Sequence, residues 1–103
     1  MSSYGELELK VIRWAEARKI IPNGTPMAQA AKTIEEVGEL VAAINAGDVN
    51  AIRDAYGDIL VTLIIGSDLA NISLLEALES AYEEIKDRKG TLTPEGIFVK
   101  EAV

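Results

Sequence analysis

No cysteine and no histidine occur among the 103 residues. The first absence excludes disulfides and thiolate-bound zinc. The second removes the side chain most often used for proton transfer near neutral pH, the usual zinc triads and the Glu-x-x-His di-iron bundle. Aromatic residues are scarce as well, at 5% against 49% apolar residues. The apolar mass is therefore Ala, Leu, Ile and Val, which suits closely packed helices. Positive charge is short: 10 Lys and Arg stand against 17 Asp and Glu, for a formal charge of −7. Gripping a nucleic-acid backbone takes clustered Lys and Arg, so no polymeric nucleic-acid partner is expected. The longest apolar run, Ile59–Gly66, is far too short to span a bilayer, so no membrane is expected. The N-terminus is polar and lacks the apolar core of a secretory signal. These features predict a cytoplasmic protein, of a cell or of an infected host cell.

The residues that remain predict an all-α fold in a single domain over residues 1–103, with a tail from about residue 91. Ser3-x-x-Glu6 is a capping box, and the apolar pattern Leu7, Val11, Ile12, Trp14 carries a first helix to about Ile21. Pro22-Asn23-Gly24 breaks it. Thr25 caps a second helix with Pro26 in its first turn, and Gly47 stops that helix after Ala46. Asp48 caps a third helix, which continues to about Ala70. Ser73-x-x-Glu76 opens a fourth, ending near Gly90. The tail, with Pro94 and Gly96, reads as loop or a short extended segment. Between Ile59 and Ile65 only Thr62 is not apolar, so the third helix is expected to be buried on every side. A chain this short has difficulty enclosing one helix completely. A bundle built from two or more copies, a dimer or tetramer, is therefore predicted.

Five carboxylates stand out against this background. With Ile34 as zero on a helical wheel, Glu35, Glu39 and Glu36 fall at roughly 100°, 140° and 200°. They share an arc, with Val37, Val41 and Ile44 on the other side. Asp54 and Asp58 are one turn apart on the next helix. Acids packed this closely repel unless they are solvated, protonated or bridged by cations. Few bases stand at i+4 to neutralise them, although Lys32 can reach Glu36. The arc continues into Ala42 and Ala43 instead of more charge, and Asp58 directly precedes the apolar run. A purely solvated acidic face fits these neighbours poorly. Hard divalent cations take oxygen ligands of this kind, so the pattern predicts a metal site and, through metal, a polyphosphate ligand.

Glu35-Glu36-x-x-Glu39, a spacer and the acid pair Asp54 and Asp58 resemble the MazG-like all-α nucleoside triphosphate pyrophosphohydrolases, whose pattern is E-E-x-x-E followed by E-x-x-D. The likeness is strongest over residues 29–65, Gln29-x-x-Lys32 included. Arg88-Lys89-Gly90 with Gly96-x-Phe98-x-Lys100 resembles the small phage-type branch. One position departs: Ala55 stands where the second motif has Glu, and Asp54 is the candidate replacement from the adjacent turn. The resemblance implies a four-helix unit assembled into an oligomeric bundle with sites between helices. It further implies hydrolysis of a nucleoside triphosphate to monophosphate and pyrophosphate with Mg2+, for which Mn2+ substitutes. In that setting the metal candidates are Glu35, Glu36, Glu39, Asp58 and Asp54. Glu36 or Glu39 would orient or deprotonate the attacking water.

Lys32, Arg88, Lys89 and Lys100 are candidates for phosphate charge, although Arg88-Lys89 also suits a helix C-terminus. Trp14 is either a packing aromatic or a platform for the base. Asn23 and Asn71 are either turn residues or readers of base edges. The phage-type likeness leans toward a purine such as dGTP. Phosphoribosyl-ATP pyrophosphohydrolase is the rival within the same chemistry. A non-catalytic helical regulator or antitoxin-like partner, with the acids as plain surface, is the rival outside it.

Overall fold

A computed structural model describes residues 3–101. Among them the chain forms α1 (Tyr4–Ala17), α2 (Ile20–Asn23), α3 (Pro26–Ala46), α4 (Val49–Leu69) and α5 (Leu74–Ile85), then β1 (Gly90–Leu92) and β2 (Phe98–Lys100). All four expected caps are made. Ser3 accepts from the Glu6 amide at 3.2 Å, Thr25 from Ala28 at 3.1 Å, Asp48 from Ala51 at 3.1 Å and Ser73 from Glu76 at 3.3 Å. Each satisfies an amide that the first helical turn leaves without a partner. Gly47 closes α3 with φ 68°, a left-handed conformation that glycine adopts without a steric penalty.

Two boundaries differ from the sequence reading. The first helix ends at Ala17, not near Ile21, because Lys19 turns left-handed (φ 64°) and starts the one-turn α2. That turn closes on itself. The Asn23 side-chain amide donates to the Lys19 carbonyl at 2.9 Å, and the Gly24 amide donates to Ile20 at 2.7 Å. Asn23 therefore serves the turn. The last helix ends at Ile85, and the tail that follows is a two-stranded antiparallel hairpin pairing Gly90 with Lys100 and Leu92 with Phe98. Glycine is required at its base. A Cβ on Gly90 would collide with the Val99 carbonyl and the Phe98 ring.

Helices α3 and α4 have 21 residues each and are joined by Gly47-Asp48 alone, so they form an antiparallel pair. Two contacts define their register. The Thr33 and Thr62 hydroxyls meet at 2.7 Å, and a Cβ on Gly66 would sit 3.1 Å from that of Gln29. Helix α4 also touches α1, α2 and α5, which makes it the centre of the molecule. The core is small: Ala15, Ala43, Ala55, Ile64 and Ile65 are its buried apolar residues. Complete burial of α4 is not reached within one chain, since Leu60 and Leu63 are exposed. On α3 the apolar residues Ile34, Val37, Val41 and Ile44 are exposed too, while Glu36 and Ala43 are its buried residues. Packing departs from the usual arrangement at one acid: Glu36 is turned inward while Glu35 and Glu39 stay exposed, and an apolar arc faces outward.

Candidate active site

The inward turn of α3 buries one acid. Glu36 is only 8% exposed, whereas Glu35, Glu39, Asp54 and Asp58 remain exposed. Antiparallel register explains its neighbours. One turn beyond Thr33 is Glu36; one turn before Thr62 are Ile59 and Asp58. The carboxyl of Glu36 is thus placed among Glu39 of its own helix and Asp58 of α4. Its pKa is raised above the ordinary carboxylate value, first by burial, then by the hydrogen-bonding approach and charge of Glu39 and the charge of Asp58. Lys32 opposes the shift, its ammonium lying 3.8 Å from Glu36 and 3.4 Å from Glu35. Even so, Glu36 Oε2 is buried without a hydrogen-bond partner. A buried carboxylate oxygen left unpaired is costly, and such an atom calls for an explanation.

A hard cation supplies one. The local donors are carboxylate oxygens, the type that Mg2+ and Mn2+ prefer. The group fits the residues present. Among the described residues, however, no three acids stand close enough together to hold a cation. Glu35 turns toward Lys32, and Glu39, Asp54 and Asp58 are exposed. Asp54 lies one turn before Asp58 on α4, beside the buried Ala55 that occupies the motif's Glu position.

The other predicted residues fall into two further groups. Trp14 is half-exposed on α1, with the Arg18 guanidinium 4.6 Å from its ring centroid. With Leu7, Lys10 and Val11 of α1 and Val61 of α4 it lines an apolar groove of about 390 Å³. Val61 is one turn beyond Asp58, so this groove adjoins the acidic end of α4. Arg88, Lys89 and Lys100 line a wider groove between the end of α5 and the hairpin, interleaved with Glu84, Asp87 and Glu101. Among the described residues, α5 packs on α4 and α1 but not on α3, and the hairpin packs on no helix. These bases are therefore grouped with one another and not with the acids. Asn71 lies in a separate half-polar hollow with Asp68, Ser67 and Glu8.

Three contributors were not assigned from sequence. Arg18 covers one face of Trp14. Glu8 is buried on α1 and accepts from the Leu75 amide at 3.1 Å and the Ser73 hydroxyl at 3.4 Å, which fastens the start of α5. Its signal was an acid between Leu7 and Leu9 with no base at helical spacing. Thr33 and Thr62 join α3 to α4, and Thr62 announces itself as the single hydroxyl in an apolar run.

The α3–α4 pair places a buried, partly unsatisfied glutamate next to a second helix that carries acids. The chain belongs to the MazG nucleotide pyrophosphohydrolase domain family, whose model matches residues 25–93. It is 33% identical over 65 residues to an uncharacterised 18.2 kDa protein from the rep–hol intergenic region of Haemophilus phage HP1. That match takes in 63% of this chain and 40% of the phage protein, so the chain spans well under half of its relative. Its fold is similar to that of the MazG-like pyrophosphohydrolase of cyanophage S-2L, with a TM-score of 0.72, 22% identity, and 99% and 96% of the two chains covered. The cyanophage protein was solved with dGDP and three catalytic Mn2+ ions per active site.

Proposed function

We propose that this protein hydrolyses a (deoxy)nucleoside triphosphate to the monophosphate and pyrophosphate, with Mg2+ as cofactor and Mn2+ able to replace it. The observation that carries the reading is the buried Glu36 carboxylate, unpaired at Oε2 and crowded by Glu39 and Asp58, inside a MazG domain. Glu35, Glu36, Glu39 and Asp58 are the metal ligands in this proposal, with Asp54 taking the place of the missing motif Glu. A bound divalent cation supplies charge neutralisation for the polyphosphate and lowers the pKa of a coordinated water.

The chain's own residues do the rest. Glu36 or Glu39 holds the attacking water and accepts its proton; the raised pKa of Glu36 suits proton transfer nearer neutrality. Lys32 exchanges its pairing with Glu35 and Glu36 for the substrate phosphates. The open face of Trp14 stacks the base in the apolar groove, with Arg18 closing the other face. The likeness to phage-type members, one of them solved with dGDP, favours a purine, and dGTP is the first substrate to try.

Arg88, Lys89 and Lys100 reach a phosphate across an interface with a second copy, since within one chain they lie apart from the acids. The exposed apolar residues of α3 and α4 support self-association as dimer or tetramer. No single helix among the described residues is long and apolar enough to cross a membrane, and we place the activity in the cytoplasm.

Product analysis tests the reaction. Each NTP and dNTP, and phosphoribosyl-ATP, is incubated with enzyme and Mg2+ or Mn2+, and the products are separated by ion-exchange chromatography. The expected products are nucleoside monophosphate and pyrophosphate, with loss of activity in chelator. Orthophosphate as the sole inorganic product would refute the reaction. Turnover of phosphoribosyl-ATP alone would reassign the substrate.

A further inference from the structure

Thr62 is 7% exposed and is the only polar residue between Ile59 and Ile65. At a buried position a hydroxyl costs stability unless it is paired, and valine has nearly the same shape without that cost. The hydroxyl is therefore kept for what it pairs with. Thr62 Oγ1 meets Thr33 Oγ1 at 2.7 Å. The two hydroxyls have local partners as well, the Ile59 carbonyl at 2.7 Å and the Gln29 carbonyl at 2.9 Å. Two hydroxyls carry two protons, so one donates to the carbonyl of its own helix and accepts from the other, whose proton is spent on the bond between the helices. The other contact that defines the register is the close approach of Gln29 to Gly66, so the hydroxyl pair is the one hydrogen bond between side chains of α3 and α4 given among the described residues. Fixing register is the best-attested use of a buried polar pair in such a setting.

We propose that the Thr33–Thr62 hydroxyl pair is a positioning device that locks α3 against α4 so that Glu36 stands opposite Asp58. Neither threonine touches substrate in this account. Each acts through the acid one turn away: Thr33 through Glu36, and Thr62 through Asp58. The proposal rests on the reading of those acids as the metal site, but its geometric half is independent of metal. A slip by one turn would carry Glu36 about 5 Å along α4 and separate the two carboxylates.

The experiment uses Thr33→Val, Thr62→Val, the double valine variant and the two serine variants. Mn2+ binding is followed by electron paramagnetic resonance, and folding by thermal melting. The chain has no cysteine, so a Gln29→Cys/Gly66→Cys pair introduced in each background reports register by its rate of cross-linking under mild oxidant. The valine variants are expected to melt as cooperatively as wild type yet bind Mn2+ about tenfold more weakly, the value of one hydrogen bond. Their cysteine pair should cross-link several-fold more slowly. The double variant should be no worse than either single one, and serine should restore both readouts. Wild-type Mn2+ binding and cross-linking in the double valine variant would overturn the proposal. Serine variants as impaired as valine would overturn it too, by showing that the methyl matters and not the hydroxyl. If wild type itself binds no Mn2+, the metal reading fails alone, and the cross-linking rates still decide the register claim.

Discussion

On the proposed function, Glu36 is where stability and function oppose each other. Its pKa is raised in the folded protein by burial and by Glu39 and Asp58, so the folded state holds the proton more tightly than the unfolded chain does. Stability of the metal-free protein must then fall as pH rises from the ordinary carboxylate range through the raised value, because there the native state binds more protons. Below both values the penalty is absent. Glu36→Gln removes the ionisable group, so the metal-free variant should melt above wild type at neutral pH, and the gap should close in acid. The same substitution should lower turnover about 100-fold or more. Melting curves from acid to neutral pH with chelator present check the first half. A wild type whose stability rises over that window would contradict it.

Asp54 carries the second test at this scale. If it replaces the missing motif Glu, Asp54→Asn should damage turnover as much as Asp58→Asn. Near-normal activity would show that Ala55 leaves the site one protein ligand short.

The helices show why some elements were readable and others were not. Caps are local: Ser3, Thr25, Asp48 and Ser73 each act on an amide three residues away, and all four were legible. The end of α1 depends on Lys19 adopting a left-handed conformation, for which lysine gives no signal. The tail reads as loop or a short extended segment, and its pairing into a hairpin was not legible because three-residue strands carry too little alternation to register as period two. The inward side of α3 was only half legible. The acid arc was visible, but its burial depends on packing against α4, and Glu36, not Asp58, proved to be the buried acid. The exposed α3 apolar face reads as core in any single-chain view.

The hairpin yields a prediction of its own. Gly90→Ala places a Cβ against the Val99 carbonyl and should unpair β1 and β2 without changing helix content. If Lys100 serves the substrate, KM should rise several-fold, about 1 kcal/mol of lost binding, while kcat changes little. Amide exchange at residues 90–100 and steady-state kinetics check both halves. Unchanged KM with an unpaired hairpin would remove Lys100 from the phosphate site.

As a whole molecule the chain has more apolar surface than its core can use. Ile64 is 4% exposed and Leu63 38%, although they are adjacent on α4. This contrast separates folding from assembly. Ile64→Asp buries a charge within the chain and should abolish folding, since no partner is available. Leu63→Asp should leave helicity intact and shift the protein to monomer, read by light scattering at micromolar concentration. A wild-type mass near 11.1 kDa would contradict self-association from the outset. In the proposed reaction a second copy would bring Arg88, Lys89 and Lys100 to the substrate, because within one chain they line a groove apart from Glu36 and its neighbours.

The central claim is that Glu36 and its neighbours form a cation site. Titration of Mn2+ into wild type and Glu36→Gln, followed by thermal melting, tests it most directly. A ligand that binds only the folded state at 100 times its Kd stabilises by about 2.7 kcal/mol. Wild type should gain a shift of that order at saturating Mn2+, and Glu36→Gln should gain far less. Equal shifts in the two proteins, or none in wild type at millimolar Mn2+, would contradict the account.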